Sequence, residues 1–152
     1  MTTLNHQIRI EAPPAVVWRA LADLTAVANF NPGVSSARSL SEQREGVGAG
    51  RRCELKPKGW VEERVWQWEP ERALGLEVSA SDWPIVFMKW KTELSADGPA
   101  TLVNQRLDYA LKFGPVGALM DALVMRRKLD RSVSDIFRGL KRYAESSAHA
   151  SA

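Results

Sequence analysis

The sequence predicts an α+β fold in which a curved antiparallel sheet of about six to seven strands wraps around a long C-terminal helix. The main observation is an amphipathic stretch near the end of the chain, residues 114–143. At about 1.5 Å per residue such a helix extends for roughly 45 Å, long enough to cross a small domain. The second observation is that most of the preceding residues follow the two-residue alternation of strands. A one-sided helix needs a surface to cover, and a sheet is the surface this chain can build.

Length and composition are those of an ordinary globular protein, with 152 residues, 45% hydrophobic and 26% charged. We expect one ligand-binding domain over residues 1–145 and a disordered polar tail over residues 146–152. A single cysteine, Cys53, and an N-terminus without an apolar run favour the cytoplasm. No stretch is apolar for long enough to predict an integral membrane span.

The net charge of +3 restricts the partners. The densest basic cluster is Arg126, Arg127, Lys128 and Arg131, which is sparser than the basic patch of a typical nucleic-acid-binding module. We therefore expect no nucleic acid as partner. A transient contact with acidic lipid head groups or with another protein is the alternative use of these charges. A monomer or a homodimer is expected.

The N-terminal elements follow from alternation and from proline. Apolar and polar residues alternate over residues 4–10, which predicts a half-buried strand. Pro13 and Pro14 end it and begin a short helix. A second short helix is predicted over residues 23–30, and the Asn31-Pro32-Gly33 sequence ends it.

Consecutive strands fill the middle of the chain. Short turns separate them, which favours an antiparallel meander. Their predicted ranges are 34–40, 51–56, 60–68, 73–78, 86–94 and 103–111. In the last strand, alternation directs Val103, Gln105, Leu107, Tyr109 and Leu111 to the inner face of the sheet.

The long helix begins with Pro115, which suits a first helical turn. A period of 3.6 residues predicts one apolar stripe, made of Ala118, Leu119, Ala122, Met125, Leu129, Val133, Ile136, Phe137, Leu140 and Tyr143. Arg126 projects into this stripe. It either extends its head to water or to a carboxylate, or it places a cation inside a cavity, opposite an anionic or carbonyl ligand.

Apolar side chains also continue beyond the stripe near the start of the helix, at Met120, Leu123 and Val124. Loops can bury such side chains. Alternatively, they form the rim of a pocket, or a surface that docks a protein or a membrane.

Several short stretches, taken together and in order, are specific to one known group of proteins. They are Ala12-Pro13-Pro14-Ala15-Val16-Val17-Trp18, Leu21-Ala22-Asp23, Phe30-Asn31-Pro32-Gly33-Val34, Gly48-Ala49-Gly50-Arg51-Arg52, Glu63-Arg64-Val65, Trp68-Glu69-Pro70 and Phe113-Gly114-Pro115-Val116-Gly117. The chain resembles the START-like (SRPBCC) superfamily, in particular its polyketide cyclase/dehydrase-like branch. The resemblance implies a helix-grip fold, with an apolar cavity between the sheet and the C-terminal helix.

A hydrophobic small molecule is therefore the expected ligand, such as a lipid, a quinone, a polyketide or another aromatic compound. Six tryptophans in one short chain suit such a cavity, because their large rings line ligand pockets well. The candidate ligand-binding residues are Phe30, Trp66, Trp83, Met88, Trp90, Gln105, Tyr109, Leu119, Leu123 and Arg126. For Trp66, Trp83 and Trp90, packing in the core is an equal alternative.

The alternative function is an enzyme of the cyclase or dehydratase type. Glu62 and Glu63 lie on opposite faces of one predicted strand, so one of them points inward and could act as acid or base. Gln105 or Arg126 would then polarise a substrate carbonyl. A glutamate paired across strands with a basic residue is the structural alternative. The two histidines and one cysteine form no metal-binding pattern, and no nucleotide motif occurs, so neither a metal nor a cofactor is predicted.

Overall fold

The computed structural model describes residues 1–150 and contains one antiparallel sheet of seven strands. The strands are β1 (Thr2–Ile10), β2 (Val34–Ser39), β3 (Gly50–Leu55), β4 (Trp60–Glu69), β5 (Ala73–Ser81), β6 (Ile85–Asp97) and β7 (Ala100–Leu111). The helices are α1 (Pro14–Ala22), a 3-10 helix (Leu24–Asn29), α2 (Gly114–Met120), a π-helical turn (Asp121–Met125) and α3 (Arg126–Ala150). This confirms the predicted α+β architecture.

The strands follow the order β1-β7-β6-β5-β4-β3-β2 across the sheet. Each strand from β2 to β7 pairs with its neighbour in sequence, as the predicted meander requires. The exception is β1, which pairs with β7, so the first and the last strand of the chain lie side by side.

One face of the sheet, here called the concave face, packs against the helices. Along β1, alternate residues are partly or fully buried, from Thr2 to Ile10, while those between them are exposed. The register continues this face across four strands through Leu4, Leu107, Trp90 and Leu76. The alternation predicted for β1 and β7 therefore identifies the buried side correctly.

The helices after β1 cover one end of the concave face. Pro14 occupies the first turn of α1, where its missing N–H leaves no helical hydrogen bond unmade. Trp18 of this helix packs edge-to-face on Trp68 of β4, with 5.0 Å between ring centres. This end of the molecule is closed by large aromatic side chains.

The C-terminal half of α3 packs closely against the sheet. Val133, Phe137, Leu140 and Ala144 recur every three or four residues and are at most 6% exposed. At Gly139 a Cβ atom would lie 1.9 Å from the carbonyl oxygen of Phe30. Glycine is therefore required at this position, because the helix touches the backbone of the preceding loop.

The part of the long helix that precedes α3, here called the α2–π segment (residues 114–125), corrects the predicted stripe. Ala118, Leu119 and Ala122 are exposed, and Gly117 and Asp121 are buried in their place. The cause is the π turn, in which the Arg126 N–H bonds to the Asp121 carbonyl five residues earlier. One extra residue in a turn rotates everything before it by about 100°.

The end of the chain also differs from the expectation. Residues 146–150, predicted as a disordered tail, continue α3 as regular helix, and residues 151–152 lie outside the described part. Within residues 1–150, none of the helices has the length and hydropathy needed to cross a bilayer.

Candidate functional site

The centre of the concave face forms an apolar floor opposite the start of α3. Leu4, Leu107, Trp90 and Leu76 follow one another in register across β1, β7, β6 and β5. Leu107 and Leu76 are buried, but Leu4 and Trp90 remain partly accessible, although they face the helix. Met125 and Leu129 on the helix side are also only half-buried. These four side chains pack against the margin of the core and keep part of their surface accessible.

A row of polar side chains crosses the floor beside these apolar residues. His6, Gln105 and Thr92 are neighbours in register on β1, β7 and β6. The Gln105 Nε2 donates to Thr92 Oγ1 at 3.2 Å, and His6 Nε2 lies 2.6 Å from Asp130 Oδ1 of α3. Because a carboxylate accepts, the proton of that bond is on Nε2. Among residues 1–150, His6 Nδ1 is buried and has no hydrogen-bond partner, so this row offers acceptor capacity inside an apolar setting.

A second polar cluster pins the π turn to the sheet edge. Asp121, which is 5% exposed, accepts hydrogen bonds from the Tyr109 hydroxyl and from Thr2 Oγ1, the latter at 2.5 Å. Burial and the adjacent Asp121 carboxylate raise the pKa of Tyr109 to about 12. Tyr109 is therefore a neutral hydrogen-bond donor at physiological pH.

Buried charge lies elsewhere on the concave face, beneath the 3-10 helix. Arg51 Nε and Nη2 each lie 3.4 Å from an oxygen of Glu63, and Arg51 Nη1 donates to the Leu24 carbonyl at 3.1 Å. Burial is the largest single influence on the pKa of Arg51 and lowers it, but the charge and hydrogen bonds of Glu63, together with Cys53, outweigh burial and raise the pKa above its usual value. The Arg51–Glu63 ion pair is shielded from solvent, since both side chains belong to residues at most 6% exposed.

Cys53, the only cysteine of the chain, lies beside the buried Arg51–Glu63 pair. Burial, with a further contribution from Glu63, raises the pKa of Cys53 to about 12 against the opposing effect of Arg51. Its thiol lies 3.7 Å from Glu63 Oε1 and donates to it. Cys53 is thus a protonated buried thiol, which excludes it as a nucleophile at physiological pH.

Two hollows lie near the start of the long helix. The smaller, about 60 Å³, is apolar and lies between the loop before β6, the end of β7 and the α2–π segment. It is lined by Pro84, Leu111, Lys112, Phe113, Gly117, Met120, Val124 and Met125. The larger, about 350 Å³, is a groove lined only by residues 123–135 of the helix. One helix cannot enclose a ligand, so we assign the groove to the outer surface.

Five of the predicted ligand-binding residues point toward the concave side. Met88, Trp90, Gln105 and Tyr109 lie on the concave face itself. Trp83 packs partly buried against the core at the β5–β6 connection. The structure therefore brings these five residues to the same side of the sheet.

Phe30 is buried too, but it contacts the C-terminal part of α3. Its ring centre lies 5.9 Å from that of Tyr143, and its carbonyl touches Gly139. It belongs to the tightly packed end of the molecule, away from the apolar floor.

Trp66 lies on the convex face, which corrects its predicted role. Its ring lies over Gly75 of β5, and Lys89 Nζ lies 4.0 Å above the ring centre. A side chain on this face cannot contact a ligand held between sheet and helix. The alternation of β4 groups Trp66 with Glu62, opposite Glu63, but it does not show which of the two faces is the inner one.

Three helix residues predicted for the site also point elsewhere. Leu119 is 60% exposed, because the π turn rotates it away from the sheet, and Leu123, which lies beyond the predicted stripe, is 64% exposed. Arg126 is 54% exposed and extends to Asp121 at 3.6 Å, which is the first of the two alternatives given for it. It therefore lies at the surface rather than inside a cavity.

The two glutamates of β4, Glu62 and Glu63, point to opposite faces of the sheet, as the alternation of a strand requires. Glu63 points to the concave face and forms the buried pair with Arg51, while Glu62 lies on the other face, 3.2 Å from Arg52. Both are thus paired across strands. Among the described residues, no group of three or more His, Cys, Asp and Glu is arranged to hold a metal ion.

The sequence pattern groups His6 with the apolar residues of β1 without making it a candidate site residue, and it misses Asp121 as a member of the inner surface. His6 carried a usable signal, since it occupies an inward position in the alternation of β1. Asp121 carried none, because only the π turn brings it to the inner side of the helix. A regular helical period places it on the polar side.

Solved structures with the same architecture are numerous. The protein TTHA0849 from Thermus thermophilus is similar with a TM-score of 0.81 and 19% identity, over 97% of this chain and 99% of that one. The Zhui aromatase/cyclase from Streptomyces sp. R1128 gives 0.77 and 16%, over 95% and 93%. A START superfamily protein from Mycobacterium smegmatis gives 0.72 and 13%, over 99% of each chain. At these identities the likeness shows the fold alone.

Family membership rests on the sequence rather than on these likenesses. No functionally curated protein matched the sequence. Residues 1–145 match the family described as polyketide cyclase/dehydrase and lipid transport, which covers nearly the whole chain. The resemblance to the START-like superfamily is thereby confirmed, and the chain belongs to the polyketide cyclase/dehydrase and lipid transport family.

Proposed function

We propose that the protein binds a hydrophobic small molecule, such as a lipid, a quinone, a polyketide or another aromatic compound, between the concave face and the start of α3. The observation that carries the proposal is a set of apolar side chains at the margin of the core that keep part of their surface accessible. Leu4 and Trp90 on the concave face, and Met125 and Leu129 on the helix, are partly buried against the core. Accessible apolar side chains beside a few polar groups are typical of the lining of a ligand site, so this set supports binding beside the start of α3.

The polar row gives the proposed ligand a preferred orientation. Gln105 and His6 lie next to the apolar floor, and Gln105 is half-buried with only its Nε2 bonded to Thr92. An amide oxygen and an imidazole nitrogen accept hydrogen bonds from a hydroxyl. A ligand with an apolar body and one hydroxyl group suits this arrangement better than a pure hydrocarbon.

Native mass spectrometry of the protein as purified tests the proposal, beside a denatured control and a panel of lipids, quinones and aromatic polyketides. We expect an added mass that is lost on denaturation. Leu129→Trp should fill the space between helix and sheet and remove the added mass. Leu123→Trp adds the same volume at a position 64% exposed and should leave binding unchanged. Equal binding by both variants, or no complex with any compound, would contradict the proposal.

A second candidate function is an enzyme of the cyclase or dehydratase type that transfers a proton with a carboxylate. The observation in its favour is Glu63, a carboxylate 3% exposed on the concave face. Its pairing with Arg51 speaks against a free base, since the ion pair holds the negative charge in place. Gln105 would polarise the substrate carbonyl, because Arg126 lies at the surface.

Turnover of a poly-β-ketone analogue separates the two functions. An enzyme should lose turnover in Glu63→Gln while the bound mass persists, and Glu62→Gln on the opposite face serves as the matched control. Because Glu63→Gln leaves Arg51 buried without a counter-charge, each variant must be assayed below its unfolding temperature. Turnover that survives Glu63→Gln excludes this glutamate as the acid or base.

A further inference from the structure

The α2–π segment carries an exposed apolar surface outside the proposed ligand-binding site. Six apolar residues between β7 and α3 are 49–69% exposed, namely Phe113, Val116, Leu119, Met120, Leu123 and Val124. They are consecutive in the fold rather than scattered, and Met120, Val124 and Phe113 share the small apolar hollow. Contiguous exposed apolar patches on a small protein mark interaction sites.

Cations continue this apolar surface along the same side of the helix. The groove on the helix joins Leu123 and Val124 directly to Arg127, Lys128 and Arg131. At the other end, Lys112 lines the apolar hollow together with Phe113. The apolar residues are thus flanked by basic residues at both ends.

The carboxylates near this surface are engaged or buried. Asp130 contacts His6, Asp121 is bonded to Tyr109 and Thr2, and Asp135 lies 3.9 Å from Arg138. Within residues 1–150, Lys112, Arg127, Lys128 and Arg131 form no ion pair. Asp130 and Asp135 are themselves partly exposed, but the four cations outnumber them, so the surface carries excess positive charge beside exposed apolar side chains.

We propose that the α2–π segment and the first turns of α3 dock on the surface of an anionic lipid bilayer. Exposed apolar side chains of a helix enter the head-group boundary, and flanking cations are attracted by anionic lipids. A second copy of the chain fits the surface less well. In a twofold dimer this surface, with its excess positive charge, would face a copy of itself.

Docking would place the smaller hollow, which opens beside the docked residues, against the bilayer. An apolar compound could then pass between the membrane and the protein without crossing water. The docking itself needs no bound compound, so a test of docking is independent of a test of the proposed function.

Co-sedimentation with vesicles tests the docking. Wild-type protein should sediment with equimolar phosphatidylcholine and phosphatidylglycerol but not with phosphatidylcholine alone, and added salt should weaken binding. The triple variant Arg127→Gln, Lys128→Gln, Arg131→Gln should bind on the order of a hundredfold more weakly. The control changes the net charge equally at exposed cations elsewhere, with Arg38→Gln, Arg44→Gln and Arg142→Gln, and should bind like the wild type.

The apolar contribution is tested at matched exposure. Leu123→Gln should weaken binding by about tenfold, because a side chain that enters the head-group boundary becomes polar. Val47→Gln changes a residue of similar exposure, 61% against 64%, in the loop between β2 and β3, and should have no effect. All these positions are exposed, so the fold should persist, which circular dichroism checks.

Several results would overturn the proposal. They are absence of sedimentation with either vesicle, equal binding to neutral and anionic vesicles, and equal loss in the triple variant and its charge-matched control. A wild-type dimer that Leu123→Gln dissociates, in the absence of vesicle binding, would assign the surface to a second copy of the chain instead. Analytical ultracentrifugation measures that outcome.

Discussion

The two ends of the long C-terminal helix have similar apolar content but opposite environments. Phe137 and Leu140 in α3 are 4% and 0% exposed, whereas Leu123 and Val124 in the α2–π segment are 64% and 62% exposed. Apolar periodicity therefore predicts that a helix forms and which residues it could bury. It does not predict how much of the helix is seated on the sheet.

Different contacts hold the two ends. The C-terminal half is fixed by backbone contact at Gly139 and by two polar links to β1 and its end: Lys141 Nζ to the Arg9 carbonyl at 3.1 Å, and the Glu11 N–H to Glu145 Oε1 at 3.0 Å. The α2–π segment is held mainly through Asp121, by its bonds to Tyr109 and Thr2. One end has a continuous packed contact, and the other depends on a single buried carboxylate.

The largest expected effect comes from shortening one apolar side chain at each end. Phe137→Ala should lower the free energy of unfolding by about 3–5 kcal/mol, because it leaves a cavity in a packed core. Leu123→Ala should change it by no more than about 0.5 kcal/mol, since its side chain is mostly exposed. Equilibrium urea unfolding measures both. Similar losses would show that both ends are seated equally.

The second-largest effect on stability is expected at Gly139 and Gly117, two helical glycines that pack against the backbone of another segment. A Cβ would lie 1.9 Å from the Phe30 carbonyl at Gly139 and 2.0 Å from the Lys112 carbonyl at Gly117. Gly139→Ala should lower the free energy of unfolding by about 1–3 kcal/mol, because overpacking outweighs the helix propensity gained. Gly117→Ala should cost less, because its neighbour belongs to the connection that precedes an exposed segment.

Thermal unfolding followed by circular dichroism measures the two glycine variants. If Gly117→Ala were the more damaging of the two, the α2–π segment would be the rigid end and the comparison would be reversed.

The smallest effect is the pH dependence of stability that arises from the hydrogen bond between Tyr109 and Asp121. The pKa of Tyr109 is raised from 10.0 to about 12, so the folded state holds this proton more tightly than the unfolded chain does. The resulting stabilisation is complete below about pH 10 and is lost as the pH rises through about 12. Stability should therefore fall less steeply for Tyr109→Phe than for the wild type over this window.

Urea unfolding at a series of alkaline pH values checks this difference between the two proteins. Cys53, whose pKa is also raised, is present in both and cancels in the comparison. Parallel curves would mean that Asp121 and burial do not hold the Tyr109 proton.

Most of the architecture could be predicted from the sequence because it depends on local periodicity. The alternation of β1 and β7 identified their inner residues, and prolines and glycines marked the turns between strands. Trp66 was misplaced because the alternation of β4 does not show which of its two faces is the inner one. Leu119 was misplaced because a π turn adds one residue to the helix, which no period of 3.6 anticipates. Leu123 already lay beyond the predicted stripe, and the structure leaves it exposed.

The site was less predictable than the fold for the same physical reason. Tyr109, Trp90 and Gln105 lie on regular strands, and their orientation follows from the register. Asp121, His6 and Arg51 acquire their surroundings from residues far away in the chain: Thr2 and Tyr109, Asp130, and Leu24 with Glu63. Such long-range partners leave no trace in a local pattern.

The pairing of β1 with β7 has a consequence for how the chain folds during its synthesis. Thr2 aligns with Tyr109 and Ile10 with Thr101, so β1 cannot pair until β7, the last of the seven strands, has been made. At roughly 5–20 residues per second, about 100 residues take on the order of 5–20 s to follow. During that interval β1 has an unpaired edge, and α3, which covers the concave face, is still to be made. The nascent chain is therefore exposed to aggregation throughout the interval between the synthesis of β1 and that of β7.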